Sequence, residues 1–228
     1  MLVNELDPDR AARLELGKRY EVTQLDATSQ EWYDKLKGFR PDRLVANPPF
    51  GTVYGPDGQP RQFKLINPGT FKDTTRSVDL AIALNSLDTM THDGKATIVI
   101  GAKTGTASAN ISADAKARAK DYNRPEFVDI FSRFNVVDWF TLGGDLYEKM
   151  GAGWPVDVIV IDGKHPTPRP EDGGMLRPWQ EAPRVLNSWN QAEDLLPHQD
   201  HERRHDDNTG TGDVEVPPGG SGGGSFPT

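Results

Sequence analysis

The sequence has no cysteine. That absence excludes a disulfide scaffold, a thiolate zinc site, a thiol protease and any group transfer through a cysteine adduct. Long apolar runs are missing too: nothing approaches the ~18 consecutive apolar residues of a membrane-spanning helix. The opening MLVNELDPDR lacks the basic-then-apolar layout of a secretory leader, so a cytoplasmic protein outside any membrane is expected. Positive charge is short. Against 34 Asp and Glu stand 26 Lys and Arg, a net charge of −8, which argues against a surface that coats nucleic acid indiscriminately. Hydrophobic residues fill only 35% of the 228 positions, whereas 23 Gly and 18 Pro require much irregular chain. The length suits one domain, or one domain with a tail.

Order is concentrated between residues 1 and 163. Residues 3–6 form a short apolar run, and Asp7 or Pro8 opens a helix through Ala11, Ala12, Leu14 and Leu16. Residues 20–25 alternate as a strand that stops at Asp26. Thr28 or Ser29 caps a helix carrying Trp32, Tyr33 and Leu36. Residues 44–46 are a brief strand that runs into Asn47-Pro48-Pro49-Phe50, where two prolines forbid its continuation. Residues 51–72 read as a long loop, and a loop of that length is usually functional. Thr74 or Thr75 is expected to cap a largely buried helix bearing Val78, Leu80, Ile82, Leu84 and Leu87, with Gly94 as its left-handed stop. Residues 96–100 are wholly apolar, as in a parallel sheet. Residues 107–121 are weakly helical, residues 125–134 form an amphipathic helix, and residues 136–142 and 156–161 are the last strands. Alternating strands and helices indicate an α/β fold with a mostly parallel sheet covered on both faces. Residues 164–190, with five prolines and two tryptophans, are expected as an extended arm, and residues 191–228 as a disordered polar tail.

The tetrapeptide Asn47-Pro48-Pro49-Phe50 carries the chemistry. Open α/β sheets bind ligands beyond the carboxyl ends of their strands, which is where it stands. A planar amino nitrogen donates its lone pair into its ring and is a poor nucleophile. The Asn47 side-chain oxygen and the Pro48 carbonyl can accept its two hydrogens and draw it toward a tetrahedral state. Phe50 offers a face for a planar base, a stack worth roughly 1–3 kcal/mol. No covalent intermediate is needed, so a chain without cysteine can perform the alkylation.

These residues resemble the catalytic motif of S-adenosylmethionine-dependent amino-methyltransferases, chiefly the N6-adenine DNA methyltransferases. The resemblance covers roughly residues 1–163. Glu5, in Val-Asn-Glu-Leu-Asp-Pro, resembles the second-strand carboxylate that binds the cofactor ribose, and Asp26, in Gln-Leu-Asp-Ala-Thr, the third-strand carboxylate that receives its adenine amino group. Asn47 would touch the cofactor as well as the acceptor. Val-Val-Asp-Trp-Phe-Thr-Leu-Gly-Gly-Asp-Leu-Tyr with Gly-Trp-Pro-Val-Asp-Val-Ile-Val-Ile is reminiscent of methylase domains in large phage and plasmid helicase–methylase proteins. The resemblance implies a Rossmann-like class I methyltransferase sheet, mostly parallel with a final antiparallel strand, and a DNA adenine flipped into the pocket.

One departure stands out. The family opens with a strand, a glycine-rich turn and a helix that this chain lacks, and that strand lies between the second and fourth strands. Residues 1–163 therefore read as a partial catalytic domain, to be completed by an upstream segment or a second chain, because orphaned buried amides cost on the order of 1–3 kcal/mol each.

Other signals admit two readings. Glu5 can favour a helix start and Asp26 can cap the following helix. Arg61, Lys64, Lys72, Arg76 and Lys103 form a possible phosphate track, with Lys116, Arg118, Lys120 and Arg124 as a second run, although basic runs are often only solvated faces. His198, His201 and His205 sit in the polar tail with nothing to orient them, so no metal is assigned. Trp139, Trp154, Trp179 and Trp189 read as core or arm anchors. Two alternatives to DNA methylation remain: methylation of an RNA base or a protein glutamine on the same fold, or a truncated, non-catalytic module that binds nucleic acid or a partner.

Overall fold

The computed structural model describes residues 1–16, 19–67, 73–104, 110–148, 153–166 and 182–193, all within a unit spanning Met1–Leu195. Element order is β1 (Leu2–Asn4), α1 (Pro8–Leu16), β2 (Glu21–Thr23), α2 (Gln30–Phe39), β3 (Arg43–Ala46), β4 (Phe63–Lys64) and β5 (Thr74–Thr75). The second half holds α3 (Val78–Thr89), β6 (Lys95–Gly101), α4 (Ala115–Asp121), α5 (Pro125–Arg133), β7 (Phe134–Leu142), α6 (Gly144–Glu148), β8 (Val156–Lys164), β9 (Arg184–Leu186) and α7 (Trp189–Glu193). This is a mixed α/β fold.

The central sheet has the order β3-β6-β8-β7-β9. β3, β6, β7 and β9 run one way and β8 runs against them, so the sheet is mostly parallel. β1 and β2 form a separate parallel pair. Among the described residues, β1 pairs only with β2 and β3 only with β6, leaving the second edge of each without a strand. Val45 in β3 is 80% exposed, an unusual position for a β-branched residue in a strand of this type.

Alternation along the strands separates two apolar clusters. Ile98, Ile100, Ile159 and Ile161 face a core shared with α3 and α5, while Val158 and Leu142 join Leu186 and Phe50 in a smaller cluster. α3 packs on β3 and β6 and is buried almost all round, as its apolar circumference predicts. α5 begins with Pro125 at its first turn and lays Phe127, Ile130 and Phe131 on the same core. Tyr122 meets Phe127 and Trp139 edge-on, at 4.9 and 4.8 Å. Trp139 is thus a core residue.

A polar clamp ties the far end of α3 to its neighbours. Asp88 accepts hydrogen bonds from Tyr33 (2.6 Å), Asn67 (2.9 Å) and Arg133. Burial, followed by this contact with Asp88, pushes the Tyr33 hydroxyl up to about 12. Lys164 donates to the Asp88 carbonyl at 2.7 Å. The Asp88 carboxylate joins α2, α3 and α5, and its backbone carbonyl adds β8.

Three local expectations are corrected. Thr74 and Thr75 do not cap α3; they pair with β4, Thr75 donates to Glu126, and the helix starts after Ser77. Gly94 is not the stop of α3, which ends at Thr89 and is capped by Met90 in extended conformation, with the Thr91 amide turned to the Pro41 carbonyl. Residues 51–67 of the expected long loop are partly ordered by pairing. Tyr54 bridges Pro60, the Gly55 amide donates to the Gln59 carbonyl at 2.8 Å and the Arg61 amide to Val53, building a small hairpin before β4. Within the expected arm, Arg184–Leu186 joins the sheet as β9 beside β7, and Arg184 pairs with Asp138 at 2.9 Å. No helix among the described residues is long and apolar enough to cross a membrane.

Candidate functional site

β3 ends at Ala46 and hands the chain to the tetrapeptide. Asn47 and Pro49 are exposed, Pro48 is buried and Phe50 is half-buried. The next residue, Gly51, has φ +113, a conformation open to glycine and strained for side chains. That turn sends the chain to Thr52, which bridges Ser77 at the start of α3. Phe50 rests against the end of β6: a Cβ at Gly101 would stand 3.1 Å from the Phe50 Cβ. The glycine therefore provides the seat for the ring.

Beside Phe50 opens a cleft of about 600 Å³ at the carboxyl end of β6. Phe50 and Trp154 supply aromatic surface, Arg76, Lys103 and Arg124 positive charge, and Asp79 and Asp121 carboxylates. Asp79 is 3% exposed and accepts the Gly101 amide at 3.1 Å, so α3 fixes the strand end from below. Arg124 reaches Ser77 (3.5 Å) and Glu126 (3.9 Å).

Under the cleft lies a buried polar group. Asp157, at the start of β8, is fully buried and accepts Tyr122 at 2.6 Å and Thr141 at 2.7 Å. Burial pushes its carboxyl up to about 6, against the lowering effect of those two hydroxyls and of Lys103. Burial, with the Asp157 charge second, drives the Tyr122 hydroxyl far above its ordinary value. Tyr122 is therefore a neutral donor.

The residues singled out in the sequence divide. Phe50, Arg76 and Lys103 meet on the cleft wall; Asn47, Pro48 and Pro49 lie just before it in the chain. Glu5 and Asp26 do not line this cleft; they follow the ends of the adjacent strands β1 and β2. Glu5 accepts the Asp7 amide (2.9 Å) and Arg10 (3.1 Å), supporting the entry to α1. One Asp26 oxygen accepts the amide and hydroxyl of Thr28, and the other faces Arg61 at 3.9 Å. Burial works to raise the Asp26 carboxyl, but Thr28 and Arg61 outweigh it and hold it below the usual range. Asp26 does not cap α2, since Ser29 does so. Arg61 is thus on the Asp26 side, stacked over Phe63 at 5.0 Å, rather than in the cleft. Lys64 is exposed on β4, outside the cleft lining, and Lys72 lies outside the described residues.

In the second basic run, Arg118 is buried and donates to the Pro183 carbonyl, a structural role, whereas Arg124 enters the cleft. Sequence reasoning missed Asp79, Tyr122, Asp157 and the cleft position of Trp154. A signal existed for two of them: Asp79 stands between Val78 and Leu80 in the apolar first half of α3 and Asp157 between Val156 and Val158 in β8, and an acid flanked in this way must find partners. No group of three or more metal-ligating side chains occurs among the described residues, and His198, His201 and His205 lie outside them. Comparison with protein-family models returns no match, and comparison with curated proteins returns none either.

Proposed function

We propose that the chain carries the catalytic half of an S-adenosylmethionine-dependent N6-adenine DNA methyltransferase. One observation carries the reading: Asn47–Phe50 leaves the carboxyl end of β3 directly into the wall of a cationic, aromatic cleft. Phe50 stacks the acceptor ring. The Asn47 side-chain oxygen and the Pro48 carbonyl, which has no competing amide of its own, accept the amino hydrogens and sharpen the nitrogen lone pair. Arg76, Lys103 and Arg124 hold phosphates on either side of the extruded base, which favours a nucleic acid over the uncharged side-chain amide of a protein.

Glu5 and Asp26 support the cofactor part of the reading. They follow two parallel strands whose ends are tied by Asn4, which accepts the Leu25 amide at 3.0 Å and donates to the Leu25 carbonyl at 2.9 Å. A pair of carboxylates there suits a ligand presenting hydroxyls and an amino group. When bound, S-adenosylmethionine supplies an activated methyl group on sulfur. The strandless edges of β1 and β3 support completion of the sheet by a further strand, from an upstream segment or a second chain, as the family resemblance implies. The reversed β8 within an otherwise parallel sheet accords with the same Rossmann-like arrangement.

The test is chemical. The chain is expressed in its natural genetic context, DNA and RNA from the cells are digested to nucleosides, and N6-methyladenine is quantified. DNA methylation that disappears with Asn47→Ala supports the reading. Methylation confined to RNA moves the activity to the other acceptor, and none in either favours a non-catalytic module.

A further inference from the structure

Where β6 leaves the sheet, the backbone of residues 101–103 is held in one short shelf of contacts. The Gly101 amide goes to Asp79 (3.1 Å) and its carbonyl accepts the Lys103 ammonium (3.3 Å). The Ala102 amide goes to the Pro155 carbonyl (3.0 Å) and its carbonyl accepts the Trp154 indole (3.3 Å). The Lys103 amide donates to the Tyr122 hydroxyl at 3.3 Å. That hydroxyl in turn donates to Asp157, whose second oxygen is held by Thr141.

The Tyr122 hydroxyl is an expensive way to fill its site. Its ring sits edge-on between Phe127 and Trp139, a cage that suits a phenylalanine, and removing hydroxyl and carboxylate together leaves nothing unsatisfied but the Lys103 amide and Thr141. What the polar chain adds is a fixed point for residue 103 at the edge of the cleft. The Lys103 side chain bends back so that one ammonium hydrogen meets the Gly101 carbonyl, and an ammonium carries three donors.

We propose that Tyr122, gripped by Asp157, is a positioning residue that holds Lys103 as an anion-binding group of the cleft, where it meets a nucleic-acid phosphate. The proposal rests on the nucleic-acid reading above and names the residue on which the placement of this cation depends.

The experiment measures binding of a fluorescein-labelled single-stranded oligodeoxynucleotide to the chain across a salt series. Each lost phosphate contact on a single strand lowers the slope of log affinity against log salt by about 0.7. Lys103→Ala is expected to lower the slope by about that much, and Tyr122→Phe to lower it in the same direction. The double variant should bind no more weakly than Lys103→Ala alone, because the two changes remove one interaction. Lys95→Ala, at the opposite end of β6 and paired with Asp162, should leave the slope unchanged. An unchanged slope in Tyr122→Phe beside a lowered one in Lys103→Ala overturns the proposal and leaves the nucleic-acid reading intact. Additive losses in the double variant overturn it as well. Absence of binding by the unmodified chain at low salt overturns the nucleic-acid reading itself, and the proposal with it. Should Tyr122→Phe fail to fold, Asp157→Asn, which loosens the same hydroxyl, replaces it in the series.

Discussion

Asp157 gives the structure its clearest dependence on pH. The carboxyl is raised from 3.8 to about 6 by burial in the sheet. The folded protein therefore holds a proton that the unfolded chain releases between these two values. Stability from this group is fully present below pH ~4 and is lost as pH rises through about 6. The gap between 3.8 and about 6, at about 1.36 kcal/mol per tenfold change in proton affinity, amounts to about 3 kcal/mol, a large share of an ordinary domain margin. Asp157→Asn removes the titration while keeping the shape. Urea unfolding of both proteins from pH 4 to 7.5 isolates this group, because every other titration cancels in the difference. The unmodified protein should lose about 3 kcal/mol relative to the variant between pH ~4 and ~7. Tyr122→Phe, which deletes a hydrogen bond to the ionised form, should move the sloping part of its own curve to higher pH. A flat difference between wild type and Asp157→Asn refutes the burial of an ionisable group at this position.

Other expectations follow from single contacts. Gly101→Ala sets a methyl group 3.1 Å from the Phe50 Cβ, displaces that side chain and should weaken binding of an adenine-containing oligonucleotide by roughly tenfold, within the 1–3 kcal/mol of one stacked base; fluorescence anisotropy reads the change. Asp88→Ala breaks the clamp between α2, α3 and α5 and should cost about 3 kcal/mol in urea unfolding, the low end for a broken buried pair because Asp129 still faces Arg133. Leu87→Ala, at a fully buried position of α3, should cost about 2–5 kcal/mol in the same assay.

The sequence made the scaffold legible where one physical preference dominated. The apolar run in β6, the mostly apolar circumference of α3 and the proline start of α5 are strong local preferences, and the structure holds them. α3 was misplaced at both ends because its boundaries depend on partners distant in the chain: Thr75 is claimed by β4 and Glu126, and Thr91 by Pro41. The proline- and glycine-rich stretch after Phe50 hid a hairpin, since its order comes from backbone pairing within the stretch and carries no hydrophobic period. Phe50 was legible as part of the motif, and Arg76 and Lys103 as members of a basic track of which Arg61 and Lys64 stand outside the cleft lining. Asp26 and Arg61 were expected in different roles, and only the folded hairpin brings them face to face. Tyr122 was not legible as a site residue, because an aromatic in a weakly helical segment shows its hydroxyl's task only once Asp157 is beside it.

The decisive comparison is between DNA from cells expressing the chain with its neighbouring coding sequence and DNA from cells expressing the Asn47→Ala form. Nucleoside mass spectrometry should find N6-methyladenine in the first and a fall of at least about 100-fold in the second, as for loss of an oriented hydrogen-bonding group at a reacting centre. Equal amounts of the methylated base in both would contradict a role for Asn47 in preparing the amino group.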